Sequence, residues 1–259
     1  MKKVAIVIPF YKSDITYGES ISIKYLNKFL GEFDKLLVLP TSLKVSFEIP
    51  KVKIVNFSDE YFTSVSKYSE LLTSKIFYEK FSNYEYILIY QLDAIVFSDQ
   101  LMSWCNKGYD YIGSPLFNSK IGQLTKPKNS FITGCNGGFS LRKVSKFIEI
   151  IDITEREAKR FSNNPNLRKL WFLHAVLTGK SQGKWLKAPA HCYPFNEDGF
   201  WSFEAPKYLS DYKVASQNDA LKFGFEKFPE KCFNLNDKKL PFGAHAWERY
   251  NKKFWKKYL

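Results

Sequence analysis

Tyr84–Phe97 reads YEYILIYQLDAIVF, and this stretch decides the fold. An apolar run reaches Gln91-Leu92-Asp93, and apolar residues resume directly after it. Such a run predicts a buried strand. A lone carboxylate at its end puts charge at a sheet edge, where open α/β folds bind ligands. A period of two turns Gln91 and Asp93 to the same side. A carbonyl and a carboxylate placed there can share a divalent cation, or its waters, against a phosphate-bearing substrate. The plainer alternative is a strand-end Asp that accepts backbone hydrogen bonds in a turn.

Working outward from this strand, Val4–Ile8 is a β-branched run ended by Pro9, which predicts a first buried strand. Ile23, Leu26, Phe29 and Leu30 recur at helical spacing before Gly31, so 21–30 is expected as a helix stopped by the glycine. Leu36–Leu39 and Val52–Phe57 read as further strands, and Val65–Phe81 as a second amphipathic helix with Tyr68, Leu71, Leu72 and Ile76 on one side. Strand and helix alternate, which points to a parallel sheet with crossover helices. No G-x-G-x-x-G and no G-x-x-x-x-G-K-[ST] occurs, against a dinucleotide dehydrogenase or a P-loop enzyme. The second half is less regular. Gly134–Gly138 reads as a turn before a short strand at Phe139–Leu141. Helices are expected over 143–151, parts of 155–161 and 167–177, with a polar turn at Asn196–Gly199. A short helix or turn follows at 218–221 and a strand at 223–225. No repeat or linker divides the 259 residues, so one domain is expected.

Lys+Arg 39 against Asp+Glu 26 gives a net charge of +13, read either as a lysine-rich solvated surface or as attraction to an anionic partner. The basic residues are dispersed and no nucleic-acid-binding module is visible, so no nucleic acid is expected. The densest charge is Lys252, Lys253, Lys256 and Lys257 around Phe254 and Trp255. That tail suits either contact with an anionic membrane surface or a terminal helix docked on the body. Four cysteines without a close pair, and an apolar segment after Met1-Lys2-Lys3 too short for a signal-peptide core, predict reduced thiols and a cytoplasmic location.

Three further segments carry chemistry-bearing residues. In Gly134-Cys135-Asn136-Gly137-Gly138, the glycines let backbone approach a ligand and Asn136 can donate or accept, though N-G is also an ordinary turn signal. In Asn196-Glu197-Asp198-Gly199-Phe200-Trp201, paired carboxylates beside two aromatics suit a sugar site. There a ring such as Trp201 covers the apolar face of a pyranose and a carboxylate takes a proton from an attacking hydroxyl. In Pro241–Trp247, small neighbours leave His245 accessible as a metal ligand, while His174 and His191 read as structural.

The combination of QLDA (91–94), YDYIGSP (109–115), NGGFSLR (136–142), the E-D pair (197–198) and PFGAHAW (241–247) resembles glycosyltransferases of the GT-A fold. It is similar in particular to a group of bacterial nucleotide-sugar transferases long carried as a family of unknown function. The N-G-G turn followed by E-D also looks like the fringe and core-1 galactosyltransferase type, which invert the anomeric centre. The resemblance implies an α/β fold of GT-A type, a Rossmann-like, mixed, mostly parallel sheet flanked by helices. Residues 1–97 then form the nucleotide-binding half and 98–259 the acceptor and sugar half.

It implies a sugar moved from a nucleotide diphosphate, uridine diphosphate by family likeness, to a glycan or lipid-linked hydroxyl in polysaccharide biosynthesis. Asp93 and His245 would hold Mn²⁺ or Mg²⁺, and Asp198 would be the base, with Glu197 the second candidate. Pro9, Phe10, Tyr11 and Lys12 would meet the nucleoside, with Tyr11 or Phe10 stacking on uracil. Gln91 departs from the family pattern by standing where D-x-D has an aspartate. It leaves either a weaker metal site or an enzyme that works without metal. The rival readings are a non-catalytic glycan- or nucleotide-binding module, a nucleic-acid-binding protein and a sugar nucleotidyltransferase.

Overall fold

The run that opens at Tyr84 lies at the centre of the main sheet. The computed structural model describes residues 1–117, 131–162 and 189–259. In chain order the strands are β1 (Lys2–Pro9), β2 (Asp34–Pro40), β3 (Val52–Phe57), β4 (Tyr84–Tyr90), β5 (Ile95–Val96), β6 (Tyr111–Phe117), β7 (Phe131–Lys143), β8 (Gly224–Phe225) and β9 (Gly243–Ala244). The larger sheet has the order β3-β2-β1-β4-β7-β6. Its first four strands run parallel, and β7 and β6 close it antiparallel. The smaller sheet is β5-β9-β8. Helices α1 (Tyr17–Leu30), α2 (Val65–Leu71), α3 (Lys75–Glu79), α4 (Leu101–Asn106) and α5 (Val144–Ser162) flank the larger sheet. It is a mixed, mostly parallel α/β fold. One hydrophobic core runs from Val4 to Phe242, drawing on both halves of the chain. The four cysteines are free. Among the described residues no helix is long and apolar enough to cross a membrane.

Several expectations shift for local physical reasons. Helix α1 starts earlier than expected, because Thr16 and Glu19 form a reciprocal capping box. Gly31 does end it, but in a right-handed conformation rather than a left-handed cap. The helix expected over 65–81 is two helices. Thr73 Oγ1 donates to Ser69 O (2.8 Å) and Ser74 Oγ to Leu71 O (2.6 Å). These local bonds compete with the helical ladder and break it. The turn expected at Gly134–Gly138 lies inside a continuous β7. Cys135 pairs with Pro115 and Ser140 with Gly113, so residues 136–139 bulge out opposite Ser114 alone. The polar turn at Asn196–Gly199 is a single helical turn (Glu197–Gly199) that continues as a π-helical turn, Phe200–Glu204. The segments expected at 143–151 and 155–161 merge into α5. The helix expected at 167–177, with His174, lies outside the described residues.

Two aromatics assigned to ligand binding are core residues instead. Trp201 is fully buried. Its ring lies 3.9 Å from that of Phe147 and its Nε1 donates to Leu72 O at 3.2 Å. Phe10 is 2% exposed and meets Phe47 edge-on at 4.9 Å. Neither ring has a face free for a sugar or a base, because closing the core over the end of the sheet uses both. The C-terminal tail docks on the body. Phe254 and Trp255 are buried, with Trp255 stacked on Phe97, while the four lysines stay exposed.

Trp201→Ala should therefore destabilise the protein by about 3–5 kcal/mol in urea unfolding, as for large core truncations. A solvent-facing sugar platform would lose no more than about 0.5 kcal/mol.

Candidate functional site

The ends of the two sheets bring distant residues together. Strand β4 stops at Tyr90, and Ala94 N donates to Gln91 O at 2.8 Å, so 91–94 is a tight turn. Gln91 and Asp93 share a side through this turn rather than through strand pleating. Asp93 leads into β5, His245 follows β9 and Glu226 follows β8. Because β5 is antiparallel to β9 and β9 parallel to β8, all three side chains emerge at one end of the smaller sheet. His245 Nε2 lies 3.1 Å from Gln91 Oε1 and 3.4 Å from Asp93 Oδ1, and Nδ1 lies 3.7 Å from Glu226 Oε1.

Charge distribution follows from this packing. Burial works against a charged His245, but the Asp93 and Glu226 carboxylates overcome it and push its pKa up to about 10. Burial works against the Asp93 carboxylate, yet the hydrogen bond and charge of His245 hold its pKa below the ordinary value. The Asp93 side chain remains 49% exposed and His245 only 11%, so the acid faces the opening and the imidazole backs it.

The bulge in β7 supplies the neighbouring wall. Gln91 N donates to Gly138 O (3.1 Å), and Gly138 N donates to Asn136 Oδ1 (2.9 Å). A Cβ at Gly138 would overlap the His245 ring and lie 2.7 Å from Gln91 Oε1, so only glycine lets the bulge close on this cluster. A Cβ at Gly137 would collide with Glu197 Oε1.

Glu197 is buried, and its Oε1 accepts from Arg142 Nη2 at 2.8 Å. The Arg142 guanidinium is itself fully buried and also donates to Ser140 Oγ, Tyr78 Oη and Gly137 O. Glu197 is thus committed to a buried ion pair and is badly placed to act as a base. Its neighbour Asp198 is free of that pair and only partly buried, accepting a hydrogen bond from Gly199 N at 2.8 Å. Burial first, and then the Glu197 charge, raise its pKa to about 7. The Glu226 charge also raises Asp198, so the same carboxylate is felt in both parts of the site.

At the ends of the parallel strands, Pro9 closes β1 and is buried, and Tyr11 is 66% exposed. Lys12 Nζ donates to Glu19 Oε1 (2.8 Å), so its charge is engaged by the α1 capping box. Sequence reasoning missed Glu226, Arg249 and Tyr68. Arg249 is exposed, with no carboxylate within ion-pair distance among the described residues, and its charge is felt by Asp93. The buried Tyr68 hydroxyl lies beside the Gln91 side chain and senses the charges of Arg142 and Asp93. None of the three lies in a motif. Arg142 stands inside the quoted NGGFSLR segment, but nothing in the pattern marks it as buried.

A family model described as protein of unknown function DUF5672 matches residues 51–245. The chain belongs to that family. The matched span contains Gln91, Asp93, the β7 bulge, Glu197, Asp198, Glu226 and His245. No curated protein matches the chain by sequence. Among solved structures, the fold is similar to that of the galactosyltransferase LgtC in complex with donor and acceptor sugar analogs. That likeness has a TM-score of 0.51 at 10% identity, over 93% of this chain and 86% of that one. A glycosyltransferase involved in glycosylation of the major capsid of PBCV-1 matches with a TM-score of 0.45 at 12% identity, over 94% and 92% of the two chains. The bifunctional glycosyltransferase WbbM matches with a TM-score of 0.47 at 16% identity, over 94% of this chain but 45% of its own.

The Asp198 carboxyl gives a pH signature in folding. Its native pKa lies above the ordinary 3.8, so the folded protein keeps a proton that the unfolded chain has lost. Its contribution to stability is complete below about pH 4 and is lost as pH rises through about 7. Asp198→Asn should therefore gain stability relative to wild type as pH rises across that window. Urea unfolding at a series of pH values checks it.

Proposed function

We propose that this protein is a glycosyltransferase that moves a sugar from a nucleotide diphosphate donor to an acceptor hydroxyl, with Asp198 as the base. The observation that carries the reading is the convergence of Gln91, Asp93 and His245 at the sheet edge, beside a bulge that also abuts the Glu197-Asp198 turn. The fold shared with LgtC, a galactosyltransferase crystallised with donor and acceptor sugar analogs, supports it. In this reading residues 1–97 take the nucleotide, with Pro9 and Tyr11 at its edge and the exposed Tyr11 ring against the base, uracil by preference. Residues 98–259 take the sugar and the acceptor, a glycan or lipid-linked hydroxyl.

The donor set fits a divalent cation. Oxygen and imidazole donors 3.1 and 3.4 Å apart match adjacent ligands of a six-coordinate ion, which stand about 3 Å apart at bond lengths of about 2.1–2.3 Å. Among the described residues no group of three or more His, Cys, Asp or Glu is arranged to hold a metal. Asp93, His245 and the Gln91 amide would therefore hold Mn²⁺ or Mg²⁺ together with substrate phosphates and water, the usual manner for Mg²⁺. When bound, the cation supplies positive charge against the diphosphate oxygens.

The chain's own residues do the rest. Arg249 offers a second cation to the leaving diphosphate. The β7 bulge brings backbone close to the sugar at Asn136-Gly137-Gly138. Asp198, ionised above about pH 7, accepts the acceptor's proton as its oxygen attacks the anomeric carbon. Attack on the face opposite the leaving group inverts the anomeric centre.

A panel of nucleotide sugars, with and without Mn²⁺ and scored for diphosphate release, should find a donor. With that donor, Asp198→Asn should bind normally but lose about 10²–10⁴-fold in kcat. In wild type the acid limb of kcat/KM should fall near pH 7, because the carboxylate is the active form. No turnover with any donor would leave only a binding module, and a product anomer matching the donor would remove the displacement scheme.

A weak peripheral contact with anionic membrane belongs to the same proposal. It rests on the exposed lysines at 252, 253, 256 and 257 alone, since their aromatic neighbours are buried. Binding to phosphatidylserine vesicles should be released by salt and lost when Lys253, Lys256 and Lys257 are changed to glutamine. Binding to neutral vesicles would remove this part.

A further inference from the structure

Glu226 is the charged group at the site that neither a motif nor the proposed chemistry employs. It follows β8, is 8% exposed, and lies behind the imidazole rather than in front of it. The backbone ties the two residues together, since His245 N donates to Phe225 O at 2.8 Å. The ring's two nitrogens face different surroundings. Nε2 looks toward Asp93 Oδ1 and Gln91 Oε1. Nδ1 is buried, has no hydrogen-bond partner among the described residues, and has Glu226 Oε1 at 3.7 Å.

We infer that Glu226 is a positioning residue for His245, holding hydrogen on Nδ1 so that the Nε2 lone pair is presented to a cation beside Asp93. The inference rests on the metal reading proposed above. A neutral imidazole carries one hydrogen, and only its bare nitrogen can ligate. A carboxylate behind Nδ1 decides which nitrogen that is and fixes the ring plane, as outer carboxylates do for metal-bound histidines. Gly138 packs against the ring and limits its tilt. The remaining freedom is a shift of the hydrogen from Nδ1 to Nε2, which would exchange the roles of the two nitrogens. Glu226 opposes it because only Nδ1–H, not a lone pair, is attractive to a carboxylate.

Two readouts test this, and neither is catalytic activity. The first is Mn²⁺ affinity by titration calorimetry. Glu226→Leu should lose about 10–100-fold, while Glu226→Gln, whose side-chain carbonyl also attracts Nδ1–H, should stay near wild type. Wild-type affinity in E226L, or an equal loss in both variants, overturns the inference. The second is the Nδ1–H proton of His245 in the metal-free protein, assigned to that ring by its disappearance in H245A and to Nδ1 rather than Nε2 by its correlation with the ring ¹⁵N nuclei. A slowly exchanging Nδ1–H resonance is expected in wild type and E226Q and not in E226L. Its absence from wild type, or its survival in E226L, overturns the inference even if one variant fails to fold. If wild type binds no Mn²⁺, the metal reading fails by itself, and the N–H resonance alone decides whether Glu226 holds the ring.

Discussion

The buried ion pair between Arg142 and Glu197 is the constraint on which the rest of the site depends. The guanidinium donates to Glu197 Oε1, Gly137 O, Ser140 Oγ and Tyr78 Oη, and no part of it reaches water. One side chain thus ties the β7 bulge, helix α3 and the turn that carries Asp198. A charge taken out of water is costly unless its hydrogen-bonding capacity is met, and here most of it is. The consequence is positional more than energetic. With Glu197 anchored from beneath, Asp198 is held next to it with its carboxyl outside the pair.

The same anchoring separates two adjacent carboxylates chemically. Glu197 is paired with Arg142, while burial and then the Glu197 charge press Asp198 upward to about 7. Neighbouring acids with environments this different can take different roles, one structural and one in proton transfer. The other end of the site works in the opposite sense. His245 sits between Asp93 and Glu226 and its pKa is raised to about 10. Gln91 keeps that cluster from carrying a further negative charge while still offering an oxygen. In the proposed reading, the bulge therefore separates a proton acceptor, Asp198, from the group of Asp93, His245 and Gln91 that would hold a cation.

The small sheet β5-β9-β8 accounts for how the second group is assembled. Its strands are only two residues long, too short to be stable alone. Packing of Ile95, Phe225, Ala244, Trp247 and Trp255 in one apolar cluster holds them. Asp93, Glu226 and His245 inherit their positions from this packing, so the C-terminal tail, docked through Phe254 and Trp255, supports the site as well as closing the fold.

Local sequence determined the main strands, and with them the sheet edge and the place of Asp93. Runs such as Val4–Ile8 and Tyr84–Tyr90 bury both faces, so composition alone marks them as interior strands of a parallel sheet. Quoted segments also marked His245, Asp198 and the glycines. Local signals failed where a long-range contact decided. Trp201 and Phe10 look like ligand-facing aromatics until the core closes over them, and the Asn136-Gly137 turn signal becomes a bulge inside a strand that is paired before and after it. Glu226 stands in no pattern, and Arg142 in one that does not show its burial. Each depends on which distant residue faces it, His245 for one and Glu197 for the other. That is set by sheet register and core packing, which act between residues far apart in the chain.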